Sequence, residues 1–288
     1  MAHKNKSNYS AYKARRSAAA KPAATDAAAK NSGRPAAPTG ATPLRGKHKK
    51  PETVYSVIEA DERLADIFRN HGLDWVTHEQ RRQLARFYSL LMAEQEHQNF
   101  TRLLKFRDIA LKHFVDSLII TRHTDLRFPL LDLGTGPGFP GIPLKILFPR
   151  EKVLLGEGVQ KRVAFLKKVR ETLELGNLDI LGRNINPFVV YPVNGVITRA
   201  VEDMRNTLGN VLSCLQEGGR VYFMKGPGAD PEIPVALETW GEYYRLVDDI
   251  AYDLPHTENH RRLVVFEKIR NAPLPNEEEQ DFPLLEGE

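Results

Sequence analysis

One stretch of the chain, residues 130–143, constrains the fold more than any other. It reads Leu-Leu-Asp-Leu-Gly-Thr-Gly-Pro-Gly-Phe-Pro-Gly-Ile-Pro. A short apolar run ends in an acid, glycines follow at alternate positions, and apolar residues at helical spacing resume at Leu144. Glycine has no Cβ, so the chain can turn sharply there and lie flat against a ligand. A strand, a bare turn and a helix start together predict a nucleoside-binding corner.

Short apolar runs alternate with helical stretches from this corner onward. The predicted strands are 130–133, 153–157, 178–181, 195–198, 220–224, 245–252 and 263–268, and the predicted helices between them are 142–148, 160–174 and 203–216. Such alternation indicates a parallel sheet with helices on both faces. No long helix separates the last two strands, so we expect them to pair antiparallel at the sheet edge. We therefore predict an α/β fold with a seven-stranded, Rossmann-like sheet, which resembles the usual architecture of S-adenosylmethionine methyltransferases.

Composition divides the chain into four predicted segments. Residues 1–50 hold twelve Lys or Arg and one acid, with almost no large apolar side chain, and predict a disordered basic tail. Apolar residues at helical spacing predict a small helical region over 51–122, ahead of a methyltransferase domain over 123–270. Residues 271–288 predict an acidic disordered tail. The basic tail suits attraction to RNA phosphates, a solubilising extension or, less well because of its prolines, an organellar transit peptide.

Several classes of protein are disfavoured by the composition. The single cysteine, Cys214, cannot form an internal disulfide, which fits a reducing cytoplasm. No apolar run approaches the roughly 20 residues that a membrane span needs, and the start lacks a secretory signal. His256 and His260 lack the acid placement of a zinc-protease helix. We expect a cytoplasmic protein with no membrane segment and no metal site.

The glycines can be assigned to two registers. The first, Asp132-x-Gly134-x-Gly136-x-Gly138, suits a methyltransferase, in which a nucleoside lies over the turn and no pyrophosphate has to be bound. Glu157 ends the second predicted strand, where its two carboxylate oxygens could accept from both ribose hydroxyls. These five residues are candidates for cofactor binding, although Glu157 alone could also be a solvated acid at a strand end.

The second register matches the dinucleotide fingerprint. Gly136-x-Gly138-x-x-Gly141 is followed by an acid about 20 residues later, as in nicotinamide-dependent oxidoreductases. However, Pro140 and Pro143 crowd the helix turn where a pyrophosphate needs free backbone N–H groups. A dinucleotide-dependent oxidoreductase is therefore kept as the weaker alternative.

Two cations follow later strands of the predicted sheet. Arg199 follows the fourth strand, and Lys225 ends the fifth. The carboxyl ends of parallel strands face the ligand crevice, so Arg199 could hold an anionic group or stack on a base, and Lys225 could meet an RNA phosphate. Either could equally be an ordinary surface cation. We predict positioning roles for both and no residue acting as a general acid or base.

These motifs resemble those of the RsmG family, also called glucose-inhibited division protein B, which methylates a guanine N7 in small-subunit ribosomal RNA. The resemblance runs from about residue 70 to 268 and is strongest at 132–143. It also includes His113-Phe-Val-Asp-Ser, Lys161-Arg-Val-Ala-Phe-Leu, Thr198-Arg-Ala, Lys225-Gly, Arg261-Arg-Leu-Val-Val and Asn99-Phe-Thr.

The resemblance implies a seven-stranded methyltransferase domain behind a small helical domain, with S-adenosylmethionine as the cofactor. It implies that Gly134 and Phe139 line the cofactor pocket, that the backbone around Asn184 and Ile185 flanks the adenine, and that Arg199 lies at the methyl-donor end. The implied partner is small-subunit ribosomal RNA or a ribosomal particle, and we expect a monomer.

The chain departs from the family pattern at two places near this predicted pocket. The family usually carries an acid where Ile185 stands, and Gly156 and Gly158 place extra glycine around Glu157. Because of Ile185, a third hypothesis stays open, namely a non-catalytic ribosome-assembly or RNA-binding protein on a methyltransferase fold. Under the enzyme hypothesis, guanine N7 already carries a free lone pair, so the chain needs no general base.

Overall fold

A single seven-stranded sheet forms the centre of the structure, a computed structural model that describes residues 50–272 except 52, 96, 190 and 200. The strands are β1 Leu130–Leu133, β2 Val153–Gly156, β3 Leu178–Leu181, β4 Val193–Arg199, β5 Leu215–Lys225, β6 Tyr244–Asp253 and β7 His260–Lys268. Their order is β3-β2-β1-β4-β5-β7-β6. β1 to β5 pair in parallel, while β7 runs antiparallel to both of its neighbours. The predicted fold class is confirmed.

Seven helical stretches accompany the sheet within the described residues. They are α1 Val57–Asn70, α2 His78–Gln95, α3, α4 Gly141–Leu147, α5 Gln160–Thr172, α6 Met204–Asn210 and α7 Glu232–Trp240. α3 is a continuous run of four pieces, with α-helix at Phe106–Ile109, π-helix at Ala110–Val115, α-helix at Asp116–Ile119 and a 3-10 turn at Ile120–Arg122. The first three stretches form the helical region that was predicted ahead of the sheet.

Side-chain caps explain where the first two helices begin. The Ser56 hydroxyl accepts from the Glu59 N–H, and the Glu59 carboxylate accepts in return from the Ser56 N–H, which makes a capping box at α1. Thr77 makes the same reciprocal pair with Gln80 at the start of α2. Thr77 is therefore the N-cap of α2.

Aromatic side chains join the helical region to the sheet. The Phe87 ring on α2 lies 5.1 Å from the Phe139 ring in the turn after β1, and 6.1 Å from the Phe114 ring on α3, measured between centroids. It also stacks on Phe165 of α5. Aromatic pairs at these separations add to the energy of burial. The turn after β1 is therefore held from one side by the helical region.

The structure differs from the prediction at two helices. The helix expected over 203–216 ends at Asn210, because Leu215 already begins β5 and pairs with Val193 on β4. The α7 helix was not predicted at all. Its sequence holds Pro234, which reads as a helix breaker but lies in the first turn, where proline removes no helical hydrogen bond.

The described residues belong to one compact unit of the chain, His48–Glu288. Residues 1–49, which are most of the predicted basic tail, and residues 273–288 of the predicted acidic tail lie outside the described residues. One apolar core runs from α1 to β7, and the predicted boundary between 51–122 and 123–270 stays a prediction. None of the described helices is long and apolar enough to cross a membrane. The same residues contain no group of three or more side chains that could hold a metal ion.

A buried ion pair between β6 and β7 is predicted to stabilise the sheet edge. The Arg262 guanidinium donates to both Asp249 oxygens, at 2.5 and 2.6 Å, and the two side chains are 3% and 4% exposed. Arg262 also donates to Asp230, so Asp249→Ala leaves the buried guanidinium with fewer partners and should lower the free energy of unfolding by about 2 kcal/mol in urea denaturation. Asp248→Ala, one residue away, is the matched control and should change it by about 0.5 kcal/mol or less. Equal losses in both variants would contradict this role for the pair.

Candidate active site

The turn after β1 has a backbone that glycine alone adopts readily. Gly134, Gly136 and Gly138 have φ angles of +69°, +60° and +113°, in the left-handed region that other residues avoid. A Cβ on Gly134 would also lie 2.4 Å from the Val201 side chain. The alternate spacing of the glycines in the sequence is therefore a direct consequence of the turn geometry.

Asp132 lies beneath this turn and holds its two ends together. One carboxylate oxygen accepts from the Thr135 hydroxyl at 2.5 Å and from the Gly141 N–H at 2.7 Å. The side chain is fully buried, and it ties the end of β1 to the start of α4. It thereby occupies the helix start that the dinucleotide register needs for a pyrophosphate.

A pocket of about 560 Å³ opens at the carboxyl edge of the sheet. It lies across the ends of β1, β2 and β4, where the strand order reverses, which is the position at which open α/β sheets bind ligands. Its described lining residues are Leu133, Gly134, Gly156, Glu157, Gly158, Arg162, Arg183, Asn184, Ile185, Arg199, Val201, Glu202 and Asn210. Its volume is in the range of small-molecule and cofactor sites.

The structure brings five of the predicted site residues together in this pocket wall. They are Gly134, Glu157, Asn184, Ile185 and Arg199. Four other cofactor candidates are not among the described lining residues, namely Asp132, Gly136, Gly138 and Phe139. They build the turn that carries the wall: Asp132 lies under it, and the buried Phe139 ring packs against the helical region.

Glu157 is the acid of the pocket wall, and it is only 5% exposed. One carboxylate oxygen accepts from the Val159 N–H at 2.8 Å, and the other lies 3.5 Å from a guanidinium nitrogen of Arg162. These contacts hold the carboxylate in one orientation. Each carboxylate oxygen can accept more than one hydrogen bond, so the group can still accept from a diol.

The two departures from the family pattern lie against each other in the structure. A Cβ on Gly156 would lie 3.1 Å from a carbon of Ile185, and a Cβ on Gly158 would lie 2.0 Å from the Asn184 side-chain oxygen. The extra glycines therefore make room for the Asn184–Ile185 loop. This loop contributes an apolar side chain and an amide to the wall.

Arg199 reaches from the end of β4 to the helical region. One terminal nitrogen donates to the Lys112 carbonyl at 2.9 Å and to Asp116 at 3.2 Å. The other lies 3.1 Å from Nδ1 of His113. Arg199 is thus a pocket residue whose guanidinium is oriented by α3.

Lys225 does not line the described part of the pocket. Its ammonium donates to the Glu202 carbonyl and to the Glu232 carboxylate, both at 2.8 Å. Glu232 also accepts from the Met204 N–H at the start of α6. Since Glu202 lies in the pocket wall, Lys225 supports that wall through its hydrogen bond to the Glu202 carbonyl.

Eight of the described wall residues were not among the predicted site residues. Four of them, namely Leu133, Gly156, Gly158 and Arg183, adjoin predicted residues in the sequence. Val201 and Glu202 follow Arg199 directly, so the strand end was a signal that they lie nearby. Arg162 and Asn210 lie on α5 and α6 and come to the pocket through the packing of these helices, for which no local pattern exists.

The fold and the pocket define a Rossmann-like methyltransferase, with a glycine turn after β1, an acid after β2 and a ligand site at the strand reversal. A family model described as rRNA small subunit methyltransferase G matches residues 80–244. The chain belongs to this family, which confirms the predicted family and S-adenosylmethionine as its methyl donor.

Three relatives illustrate the similarity, each named a ribosomal RNA small subunit methyltransferase G. The protein from Bdellovibrio bacteriovorus, with the suffix 2, is 67% identical over 241 residues, which are 84% of this chain and 94% of the relative. That from Carboxydothermus hydrogenoformans is 35% identical over 74% of this chain and 93% of its own length. That from Deinococcus radiodurans is 34% identical over 75% and 85%, respectively. The comparisons give no support to the oxidoreductase or the non-catalytic alternative.

The buried carboxylate under the turn predicts a specific pH dependence of stability. Burial raises the pKa of Asp132 from 3.8 to about 6, although the hydrogen bonds from Thr135 and Gly141 oppose this shift. Between these values the folded chain binds more protons at this site than the unfolded chain, so its contribution to stability falls as the pH rises.

Asp132→Asn keeps an oxygen that can accept both hydrogen bonds and removes the titration. Relative to wild type, the variant should gain free energy of unfolding between about pH 4 and pH 6, by at most about 1.4 kcal/mol per pH unit, and nothing further above that window. Urea denaturation across this range measures the difference. Parallel pH profiles for the two proteins would show that Asp132 is already ionised when buried.

Proposed function

We propose that this protein transfers the methyl group of S-adenosylmethionine to N7 of a guanine in small-subunit ribosomal RNA. The observation that carries the proposal is the pocket at the strand reversal, where Glu157 and the Gly134 turn meet in one wall. The relatives' printed names supply the class of RNA, and the resemblance described above supplies the N7 position.

The pocket fits the cofactor in both size and chemistry. Glu157 would accept from the two ribose hydroxyls, while Ile185 and the amide of Asn184 would lie beside the adenine. The bare backbone at Gly134 would lie beneath the methionine part, with Arg199 at the methyl-donor end. When bound, S-adenosylmethionine supplies an electrophilic methyl group on a cationic sulfur.

The proposed reaction requires the protein to position its two reactants and does not require a side chain that transfers a proton. Guanine N7 carries a lone pair at neutral pH, so no side chain has to remove a proton before it attacks the methyl carbon. Holding two reactants in line can by itself lower a barrier by roughly 7–11 kcal/mol. This agrees with a pocket in which the Arg199 guanidinium is held by fixed hydrogen bonds.

Positive charge at the pocket supports an RNA substrate. Three arginines, Arg162, Arg183 and Arg199, are among the residues that line it, and they outnumber its two described acids. Arginine binds phosphates well because its planar fork donates several N–H groups at once. Lys225 remains a candidate for an RNA phosphate contact, although its ammonium already holds Glu202 and Glu232.

The partner and the setting follow from the proposed substrate. We propose that the protein acts in the cytoplasm, as a monomer, on ribosomal RNA or on a small-subunit particle. Sedimentation of the purified chain with and without the particle tests the monomer proposal. The basic tail, which lies outside the described residues, is the part of the chain predicted to add non-specific attraction to RNA.

The ribose role of Glu157 predicts a loss of cofactor affinity in Glu157→Ala. The change removes an acceptor of charge-assisted hydrogen bonds, so the dissociation constant for S-adenosylmethionine should rise about tenfold or more in calorimetry. Glu171→Ala, an exposed acid of α5, is the matched control and should bind like wild type. Unchanged affinity in Glu157→Ala would remove Glu157 from the cofactor site.

Methyl transfer to unmodified small-subunit RNA, and to particles, tests the activity itself. We expect one modified guanine, mapped by mass spectrometry, with methylation dependent on S-adenosylmethionine. Cofactor binding without methylated RNA on either substrate would favour the non-catalytic alternative instead.

A further inference from the structure

An irregular helix lies against the pocket, and it places a histidine beside Arg199. The Ala110–Val115 part of α3 is π-helical and contains His113. Single π-helical turns are rare and occur often at functional sites, because they change the direction in which side chains point. The His113 ring also stacks on the Phe139 ring, with centroids 4.3 Å apart and planes 15° apart.

Both nitrogens of the His113 ring have a partner. Nδ1 lies 3.1 Å from a terminal nitrogen of Arg199, and Nε2 lies 3.1 Å from the Thr101 hydroxyl oxygen. That hydroxyl oxygen also accepts from the Leu103 N–H at 3.0 Å. Thr101 is itself held by the buried Gln95, whose amide oxygen accepts from the Thr101 N–H.

These partners determine which ring nitrogen carries the proton. A guanidinium has N–H donors and no acceptor, so Nδ1 of His113 must accept from Arg199. The proton is therefore on Nε2, which donates to the Thr101 hydroxyl. This arrangement requires a neutral imidazole, since a cationic ring would place an N–H group against the guanidinium.

The surroundings of the ring favour this neutral form. Burial, the larger cause, and the charge of Arg199 together lower the pKa of His113 to about 3. At neutral pH the ring therefore accepts no proton, and its one lone pair is used by Arg199. This excludes a general-base role for His113 and leaves a role in orientation.

Asp116 completes the support of the guanidinium from the same helix. Its carboxylate is 4% exposed and lies between Arg199, at 3.2 Å, and Nε of Arg261, at 2.8 Å. A carboxylate attracts a guanidinium strongly in a buried site, but the Asp116 carboxylate is shared between Arg199 and Arg261. The His113 acceptor is the contact that directs the other terminal nitrogen of Arg199.

We propose that His113 is a positioning residue, which orients Arg199 in the S-adenosylmethionine pocket by accepting a hydrogen bond at Nδ1. The inference rests on the proposed function in one respect only, namely that Arg199 lies at the methyl-donor end of the cofactor. Through Thr101, the same ring makes the helical region part of the cofactor site.

Two substitutions separate the acceptor from the ring. His113→Asn places an amide oxygen near the position of Nδ1 but removes the ring that stacks on Phe139. His113→Phe keeps a ring that can stack but offers no acceptor. Calorimetry should show the S-adenosylmethionine dissociation constant rising about tenfold or more in His113→Phe, and by about threefold or less in His113→Asn.

The thermal unfolding temperatures of the same proteins are the control. If His113 had only a structural role, the loss of cofactor affinity would follow the loss of stability. Under the proposal, affinity follows the acceptor, and His113→Asn binds the cofactor better than His113→Phe even if it melts lower. A cofactor affinity of His113→Phe that equals that of wild type, or that is no weaker than that of His113→Asn, overturns the proposal.

The wild-type chain provides a test that does not depend on the folding of any variant. Two-bond proton–nitrogen correlation spectra report which imidazole nitrogen carries a proton. We expect an unprotonated Nδ1 for His113 at neutral pH, and a protonated Nδ1 would overturn the proposal. If wild type fails to bind S-adenosylmethionine at all, the proposed function fails, while the spectrum still decides whether Arg199 has its acceptor.

Discussion

The site depends on one buried carboxylate, that of Asp132, which holds a turn made of left-handed glycines. The turn has few side chains that could pack, so its shape needs another source of order. Asp132 supplies it by accepting from both ends of the turn, at Thr135 and at Gly141. A buried acid of this kind is costly unless it is hydrogen-bonded, and burial indeed raises its pKa. The desolvation of this carboxylate is the cost of a bare main-chain surface for a nucleoside.

The helical region also contributes to this site. Its aromatic rings pack on Phe139, and its α3 segment carries the groups that hold Arg199. Asp116 on this segment also binds Arg261 of β7, which links the helical region to the far half of the sheet. The guanidinium of Arg199, at the end of β4, is therefore held by α3, and α3 is itself tied to β7 through Asp116. We therefore expect a change in α3, β4 or β7 to alter the position of the Arg199 guanidinium in the pocket.

Much of the fold was predictable from the chain, because its strands are short apolar runs bounded by clear turn residues. The glycine turn was predictable for the same local reason, as were Glu157 and Arg199 at strand ends. The errors arose where long-range pairing overrode local preference. Residues 211–216 continue an apolar pattern of helical spacing, yet Leu215 joins β5 because β4 offers it a partner. Lys225 was placed at the correct strand end, but the sequence did not show that Glu232 would hold its ammonium.

By itself, the sequence determined those features that depend on the backbone of a few adjacent residues. The positive φ angles of the glycine turn are of this kind, since only glycine adopts them without strain. The tertiary structure decided which side chains meet across long separations. His113 and Arg199 are 86 residues apart, and their hydrogen bond exists only because α3 packs over the end of β4. Local sterics act within a residue or two, whereas hydrogen bonds and burial depend on the position of the whole chain.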